Sequence, residues 1–256
     1  MTQTRLFPGM PIWLGRAVTL AILLGVWEGL SRLGLVNPLF IGNPVKIFEF
    51  LFRGLFVNQE LIGHTVWTMI ATLSAFVLGS AAGVLVGLLF VTFPKVEAFL
   101  DPIFAGLNAL PRIALAPLFL LWFGLGIASK IALGFSLTFF IVLGSTVAGA
   151  RAVNTDHLIL ARTLGARPSQ TFRRITLPGA VPTIFAGLRL GLIYALLGVI
   201  GGEIIAAQRG LGQLLSFLAG TFQINGVFAV LLLLAVLGTA LTWAMTTIEL
   251  RLLRWR

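Results

Sequence analysis

Asn154–Pro182 reads NTDHLILARTLGARPSQTFRRITLPGAVP. It lies between two long apolar segments and is too polar to sit in lipid. Arg162, Arg167, Arg173 and Arg174 stand against a single acid, Asp156. The pattern predicts a helix, a turn and a second helix. Asn154 or Thr155 can cap the first helix, whose apolar residues are Leu158, Ile159, Ala161 and Leu164. Gly165 suits the left-handed position just past it, followed by Ala166. Pro168 suits the first turn of the second helix, with Phe172, Ile175 and Leu177 on one side. Pro178 and Pro182 are expected to stop that helix and start the next span. A bare loop needs none of this, so a compact basic hairpin held between two membrane helices reads as a docking element. The bland alternative is a basic amphipathic loop lying on lipid headgroups.

The rest of the chain makes the bilayer its solvent. Of its 256 residues 58% are hydrophobic and 10% charged, and mean hydropathy is +1.04. A soluble domain carries about 25% charged residues, enough to cover its surface. The length allows roughly six spans of ~20 residues with short loops in a single domain, 1–256. The net charge of +10 would suggest nucleic acid in a soluble protein. Here it reads as orientation charge beside anionic lipid. The cysteine count is 0, which excludes disulfides and thiolate chemistry.

Taken in order, the first span is expected at Ala17–Leu35, with Arg5 and Arg16 before it. The start of the chain has the basic flank and apolar run of a signal peptide. No small-x-small site clearly follows, and the run is long enough to remain as an anchor. Asn37–Pro44 is turn-rich, and Val45–Phe56 is an amphipathic helix expected in the membrane interface. The second span, Val66–Val91, carries Gly79, Gly83 and Gly87 at spacing four, a smooth face for a neighbouring helix. A polar turn with Lys95, Glu97 and Asp101 leads to a third span, Pro102–Phe123, interrupted by Pro111, Arg112 and Pro117. The fourth span is Ile131–Ala150, the fifth Thr183–Ala206 and the sixth Val227–Ile248, with Gln208–Leu215 leading into a loop between the last two. If both termini are cytoplasmic, the outside segments hold only Arg32, Lys46, Arg53, Lys130 and Arg209. The other loop cations, the hairpin's four among them, are then inside, as the positive-inside rule favours.

Three stretches resemble one family, the permease subunits of ABC importers. The hairpin is similar to that family's cytoplasmic loop: E-A-A, three residues, Gly, then about nine residues to I-x-L-P. Ala161, Gly165, Ile175, Leu177 and Pro178 match, while Ile159 and Leu160 fill the Glu and first Ala places. The run ALPRIALAPLFLLWFGLGIASK resembles P-x-x-A-x-x-P-L-x-x-x-W-F-G-x-G-x-x-S-K, from Pro111 to Lys130. EIIAAQRGLGQLL resembles E-x-x-x-x-x-x-G-L-G through Glu203, Gly210, Leu211 and Gly212. The second pattern points to the nitrate, sulfonate, taurine and bicarbonate branch.

The resemblance implies an all-α bundle of about six transmembrane helices, of the type I importer kind, in a bacterial inner membrane. Residues 154–178 would be a coupling hairpin that fits a cleft on a cytoplasmic ATPase. The implied partners are ATPase subunits, a periplasmic binding protein and a second permease copy, with no nucleic acid. ATP and magnesium would be bound by the ATPase, and a small anion such as a sulfonate, nitrate or bicarbonate carried. Some relatives carry nitrogen heterocycles. Coupling would rest on Asp156, Ile159, Ala161, Arg162, Gly165, Ala166, Phe172, Ile175, Leu177 and Pro178.

Bare residue chemistry agrees with a transporter. No G-x-x-x-x-G-K-[ST] occurs, and none of the lysines follows a glycine. No G-x-S-x-G or H-E-x-x-H supports a membrane hydrolase. His64 and His157 read as ordinary polar residues near span ends, and no cofactor or metal set is visible. The intramembrane charges Glu28, Arg112, Arg189 and Glu203 carry more information. A charge at depth costs roughly 2.5–3.5 kcal/mol on insertion scales unless paired or hydrated. Glu28 reads as structural. Pro111, Arg112, Pro117, Arg189 and Glu203 are candidates for the translocation path or its gate, with Arg209 a candidate partner for Glu203. A channel or secondary transporter without an ATPase is the other class open at this point.

Overall fold

In the computed structural model, which describes residues 12–34 and 38–252, every long apolar run is a helix. Lipid offers the backbone no hydrogen bonds, so each spanning segment must satisfy its own. Among the described residues five helices are long and apolar enough to cross a membrane, or six if one bent pair counts as a span. Leu35, Asn37, the signal-like Met1–Pro11 with Arg5, and Arg254 and Arg256 lie outside the described residues.

The helices are α1 (Ile12–Arg32), α2 (Pro38–Ile41), α3 (Pro44–Phe52), α4 (Glu60–Thr92), α5 (Pro94–Ala109) and α6 (Ala116–Phe123). They continue with α7 (Ile127–Arg151), α8 (Thr155–Thr163), α9 (Pro168–Thr171), α10 (Leu177–Ile205), α11 (Leu211–Gly220) and α12 (Ile224–Leu252). They group into two compact units, one reaching Leu61 and including Leu215–Leu233, the other Ile62–Leu214 with Leu234 onward.

In the first unit a polar knot joins chain segments far apart in sequence. The Glu28 carboxylate accepts from Arg32 Nε at 2.6 Å and Asn43 Nδ2 at 3.1 Å. The Asn43 amide donates to Asn225 Oδ1 at 2.7 Å. Asn43 also caps α3, its side chain accepting from Lys46 N–H at 3.1 Å. Glu28 is thus structural, as its sequence context implies. The turn-rich segment before Pro44 contains a short helix, Pro38–Ile41. α3 buries Pro44 and Ile47 and runs on through a wide π turn, Arg53–Val57.

In the second unit α4, α7 and α10 pack against one another. Gly79, Gly83 and Gly87 of α4 face Phe135–Thr146 of α7; a Cβ at Gly83 would stand 2.7 Å from the Phe139 carbonyl oxygen. The expected smooth face is therefore a contact face. A second glycine stripe, on α10, does the same for its contact with α7: Gly191 meets Val142 and Thr138, and Gly198 meets Gly134. Thr138 Oγ1 donates across the joint to the Gly191 carbonyl at 3.1 Å. In lipid, where apolar burial gives helices no reason to associate, such close approach and hydrogen bonding hold them together.

Three expectations are corrected. Lys95, Glu97 and Asp101 lie on α5 rather than in a turn, because Pro94 takes its first turn and Glu97 favours the helix N-terminus. The third span is a pair of helices bent by 85°. Its break is at Leu110–Pro111, both extended, followed by a 3-10 turn at Arg112–Leu115. Pro117 breaks nothing, since it sits in the first turn of α6, where a missing N–H costs no bond. Gln208–Leu215 leads into a helix rather than a loop, since α11 begins at Leu211 and runs to Gly220.

The glycine contacts make a testable contrast. Gly83→Ala forces a methyl against α7 backbone and is expected to cost about 1–3 kcal/mol. Gly144→Ala, with nothing within 4 Å of the added carbon, is expected to leave stability unchanged. Thermal unfolding in detergent compares them; equal melting temperatures would contradict the packing account.

Candidate coupling hairpin and buried polar sites

The hairpin folds as its sequence directs. Asn154 caps α8, its Oδ1 accepting from the Asp156 N–H at 2.8 Å. α8 ends in a Schellman motif, in which the Gly165 N–H donates to the Arg162 carbonyl at 3.0 Å and the Ala166 N–H to the Ala161 carbonyl at 2.9 Å. Gly165 holds φ +77°, as predicted. Pro168 opens α9, and the Gln170 side chain accepts from the Arg167 N–H at 2.8 Å.

Pro178 does not stop the second helix, contrary to expectation. The backbone from Pro168 to Ile205 is one helix of 38 residues. A π turn at Phe172–Thr176 widens the coil just ahead of Pro178, so the proline ring enters the first turn of α10 without meeting a tight preceding one. At ~1.5 Å per residue the rod is ~57 Å long, against a hydrocarbon core of ~30 Å. A helix that long outspans the core, and its polar end is the hairpin end, with Arg173 and Arg174.

Ala161 is buried against the turn, while Phe172, Ile175 and Leu177 are half-buried along the rod. Asp156, Arg162 and Pro178 are exposed and Ala166 half-buried. Ile159, Leu160 and Leu164 are exposed at 57%, 58% and 77%. Beside them lies a groove of about 470 Å³ lined by His157, Leu160, Ala161, Leu164, Ala166, Arg174 and Ile175. Large apolar side chains thus stand exposed on a short helix, with Arg174 beside them.

The five path candidates do not converge on one site. Pro111 and Arg112 stand at the bend of the broken span. The Arg112 guanidinium lies 4.4 Å over the Phe140 ring and donates to Asn108, through both its backbone and side-chain oxygens. Pro117 is on α6. Arg189 forms an ion pair with Glu249 of α12. Glu203, 1% exposed, bonds to partners other than Arg209. Its carboxylate accepts from Thr68 Oγ1 at 2.9 Å and from the Gly212 N–H at 2.8 Å. Thr68 Oγ1 accepts in turn from the Leu211 N–H at 2.8 Å. His64 Nδ1 lies 2.9 Å from the Gly210 carbonyl oxygen and 3.1 Å from its nitrogen.

Sequence reading missed Thr68, Lys130 and His64 as partners in buried polar sites. Lys130, 2% exposed, donates from Nζ to the Leu125 carbonyl at 2.7 Å and Ser129 Oγ at 3.2 Å. A signal did exist: His64, Thr68 and Thr72 recur at spacing four, a polar stripe on an apolar helix.

Residues 79–254 match the family model described as the binding-protein-dependent transport system inner membrane component. The chain belongs to that family. It is 33% identical to the taurine transport system permease protein TauC of Escherichia coli, over 93% of this chain and 88% of the relative. It is 32% identical to an aliphatic sulfonates transport permease, SsuC, of Bacillus subtilis, over 95% and 88%. It is also 32% identical to the formylaminopyrimidine transport permease protein ThiX of Halalkalibacterium halodurans, over 92% and 93%. Among solved structures, the inward facing MetNI methionine ABC transporter shares the fold at TM-score 0.64, over 73% of this chain and 94% of the other, at 24% identity. This chain is an all-α, multi-pass permease subunit of an ABC importer, and a transporter rather than an enzyme.

Within this permease the Arg189–Glu249 pair ties α10 to α12, two helices far apart in sequence. Arg189→Ala and Glu249→Ala are each expected to destabilise, and the double variant to lose less than their sum, with a coupling of about 1 kcal/mol. A thermal double-mutant cycle in detergent measures it. Purely additive losses would mean that the pair contributes nothing.

Proposed function

We propose that this permease works as a homodimer driven by two cytoplasmic ATPase subunits, with the 154–178 hairpin as the coupling element of a single permease domain, 1–256. The observation that carries this reading is α8, set beside the hairpin end of the 38-residue helix, which exposes Ile159, Leu160 and Leu164 next to Arg174. In water those side chains are costly unless covered, and a cleft on a rigid partner would cover them. Ile159 and Leu160, which stand where relatives carry Glu and Ala, make the contact apolar rather than ionic. The ATP and magnesium are bound by the partner. Both termini and the hairpin lie in the cytoplasm, supported by the arginine asymmetry, and a periplasmic binding protein delivers solute to the other face. α3 rests in the interface with Phe48 and Phe52 toward lipid.

The path runs past the broken span, where Pro111 opens the backbone and Pro117 restarts it. Irregular backbone at depth is tolerated where it lines a cavity or is buried in protein. Arg112 supplies a cation there, and its nearest partners are neutral Asn108 and Phe140. A small anion fits that charge, and the taurine and sulfonate relatives support it. The formylaminopyrimidine relative supports a nitrogen heterocycle as the second reading. Arg189 and Glu203, held by Glu249 and by Thr68 with Gly212, act within the bundle rather than on solute.

Gly165→Val tests the coupling. A β-branched residue at positive φ is strained by roughly 1–2 kcal/mol, which tilts α8 against α9. Nothing lies within 4 Å of the added carbon, so the effect is on the turn and not on the bundle. ATP hydrolysis in liposomes is expected to lose its stimulation by loaded binding protein. Arg162→Ala is expected to be mild, since an exposed charge contributes about 0–1 kcal/mol. Full stimulation and transport in Gly165→Val would remove the hairpin from the mechanism.

A further inference from the structure

Glu203 is oddly placed for its own helix. It lies in the last turn of α10, where the carbonyl end of the helix disfavours a negative charge. It is also almost fully buried, where a carboxylate is costly unless bonded. Both objections vanish when α11 is considered. Glu203 meets the first turn of that helix, whose free N–H groups favour an anion. The Gly212 N–H bonds the carboxylate directly, and the Leu211 N–H bonds Thr68 Oγ1, which itself donates to the carboxylate. The chain clears room for this contact. Gly210 holds φ +121°, and a side chain there would overlap the Glu203 carboxylate. A Cβ at Gly212 would stand 2.6 Å from the Ile200 carbonyl oxygen. The carboxylate therefore serves the start of α11, clamping it to α10 and α4.

The clamp sits at one end of a helix whose other end is the coupling hairpin, with no break between Pro168 and Ile205. We propose that Glu203 is a positioning residue of the transport cycle, delivering displacement of the hairpin to residues 206–214 at the opposite end of the rod. An apolar contact would let the two helices slide; a bonded carboxylate moves them together, because its acceptor geometry is directional. The inference rests on the reading that the hairpin docks an ATPase.

The test uses the assembled permease–ATPase complex in nanodiscs. Arg209, exposed beside the clamp, is replaced by cysteine in this cysteine-free chain and labelled with an environment-sensitive dye before the ATPase is added. The Arg209→Cys permease is expected to change emission on addition of ATP and vanadate. With Glu203→Ala added, the ATPase is expected to co-purify still, the dye response to vanish, and amide exchange across 207–214 to rise about tenfold. Glu203→Gln keeps an acceptor for the Gly212 N–H and is expected to restore most of the response. Should Glu203→Ala fail to accumulate, Thr68→Val removes the Leu211 acceptor and is read in the same way. Faster exchange with an intact dye response would make Glu203 mere glue and overturn the proposal, as would no change in either. Absence of bound ATPase in the parent complex would instead overturn the coupling reading beneath it.

Discussion

The close mutual contact of α4, α7 and α10 holds the second unit together. Lipid tails are as apolar as leucine, so these helices gain nothing by hiding leucines from them. They gain by approaching until backbones touch, and only glycine permits that. Gly83 lies against Phe139 and Val142, and Gly198 against Gly134, with Thr138 bonded across to Gly191. The polar groups elsewhere in the unit depend on this frame. Lys130 is buried beside Gly202 of α10. Glu203, one residue on, is then held where Thr68 and Gly212 can reach it.

The same frame gives the hairpin a rigid mount. α10 is gripped along much of its length, and its first turns continue backward through the π turn to Pro168. A loop hung between two spans would absorb a push. A helical tip continuous with a packed span passes it on. The exposed Ile159, Leu160 and Leu164 lie beside that tip on α8, and under the proposed coupling they are the face on which the push arrives.

Local rules made the hairpin legible in the sequence. Asn154 as cap, Gly165 at positive φ and Pro168 in a first turn each follow from one or two residues. The apolar runs announced the spans, and Gly79, Gly83 and Gly87 announced a packing face. The α10 glycines at 187, 191, 198 and 202 were equally readable by the same rule. What stayed hidden depended on distant partners or on helix variants. Proline rules alone place a stop at Pro178, because a π turn leaves no mark in composition. The partner of Glu203 stayed hidden because Thr68 is 135 residues away. Its nearest cation in sequence, Arg209, proved to have no part in the clamp. The G-L-G run after it was expected to lead into a loop, whereas its glycines clear space for the carboxylate and a helix starts at Leu211.

The central claim is that the hairpin tip is the surface on which a cytoplasmic ATPase acts. A photoreactive amino acid placed at Leu164 in intact cells tests it, whatever the solute. Irradiation is predicted to join the permease to a P-loop ATPase, identified by mass spectrometry of the adduct. Adducts only with lipid, or with a periplasmic protein, would contradict the account.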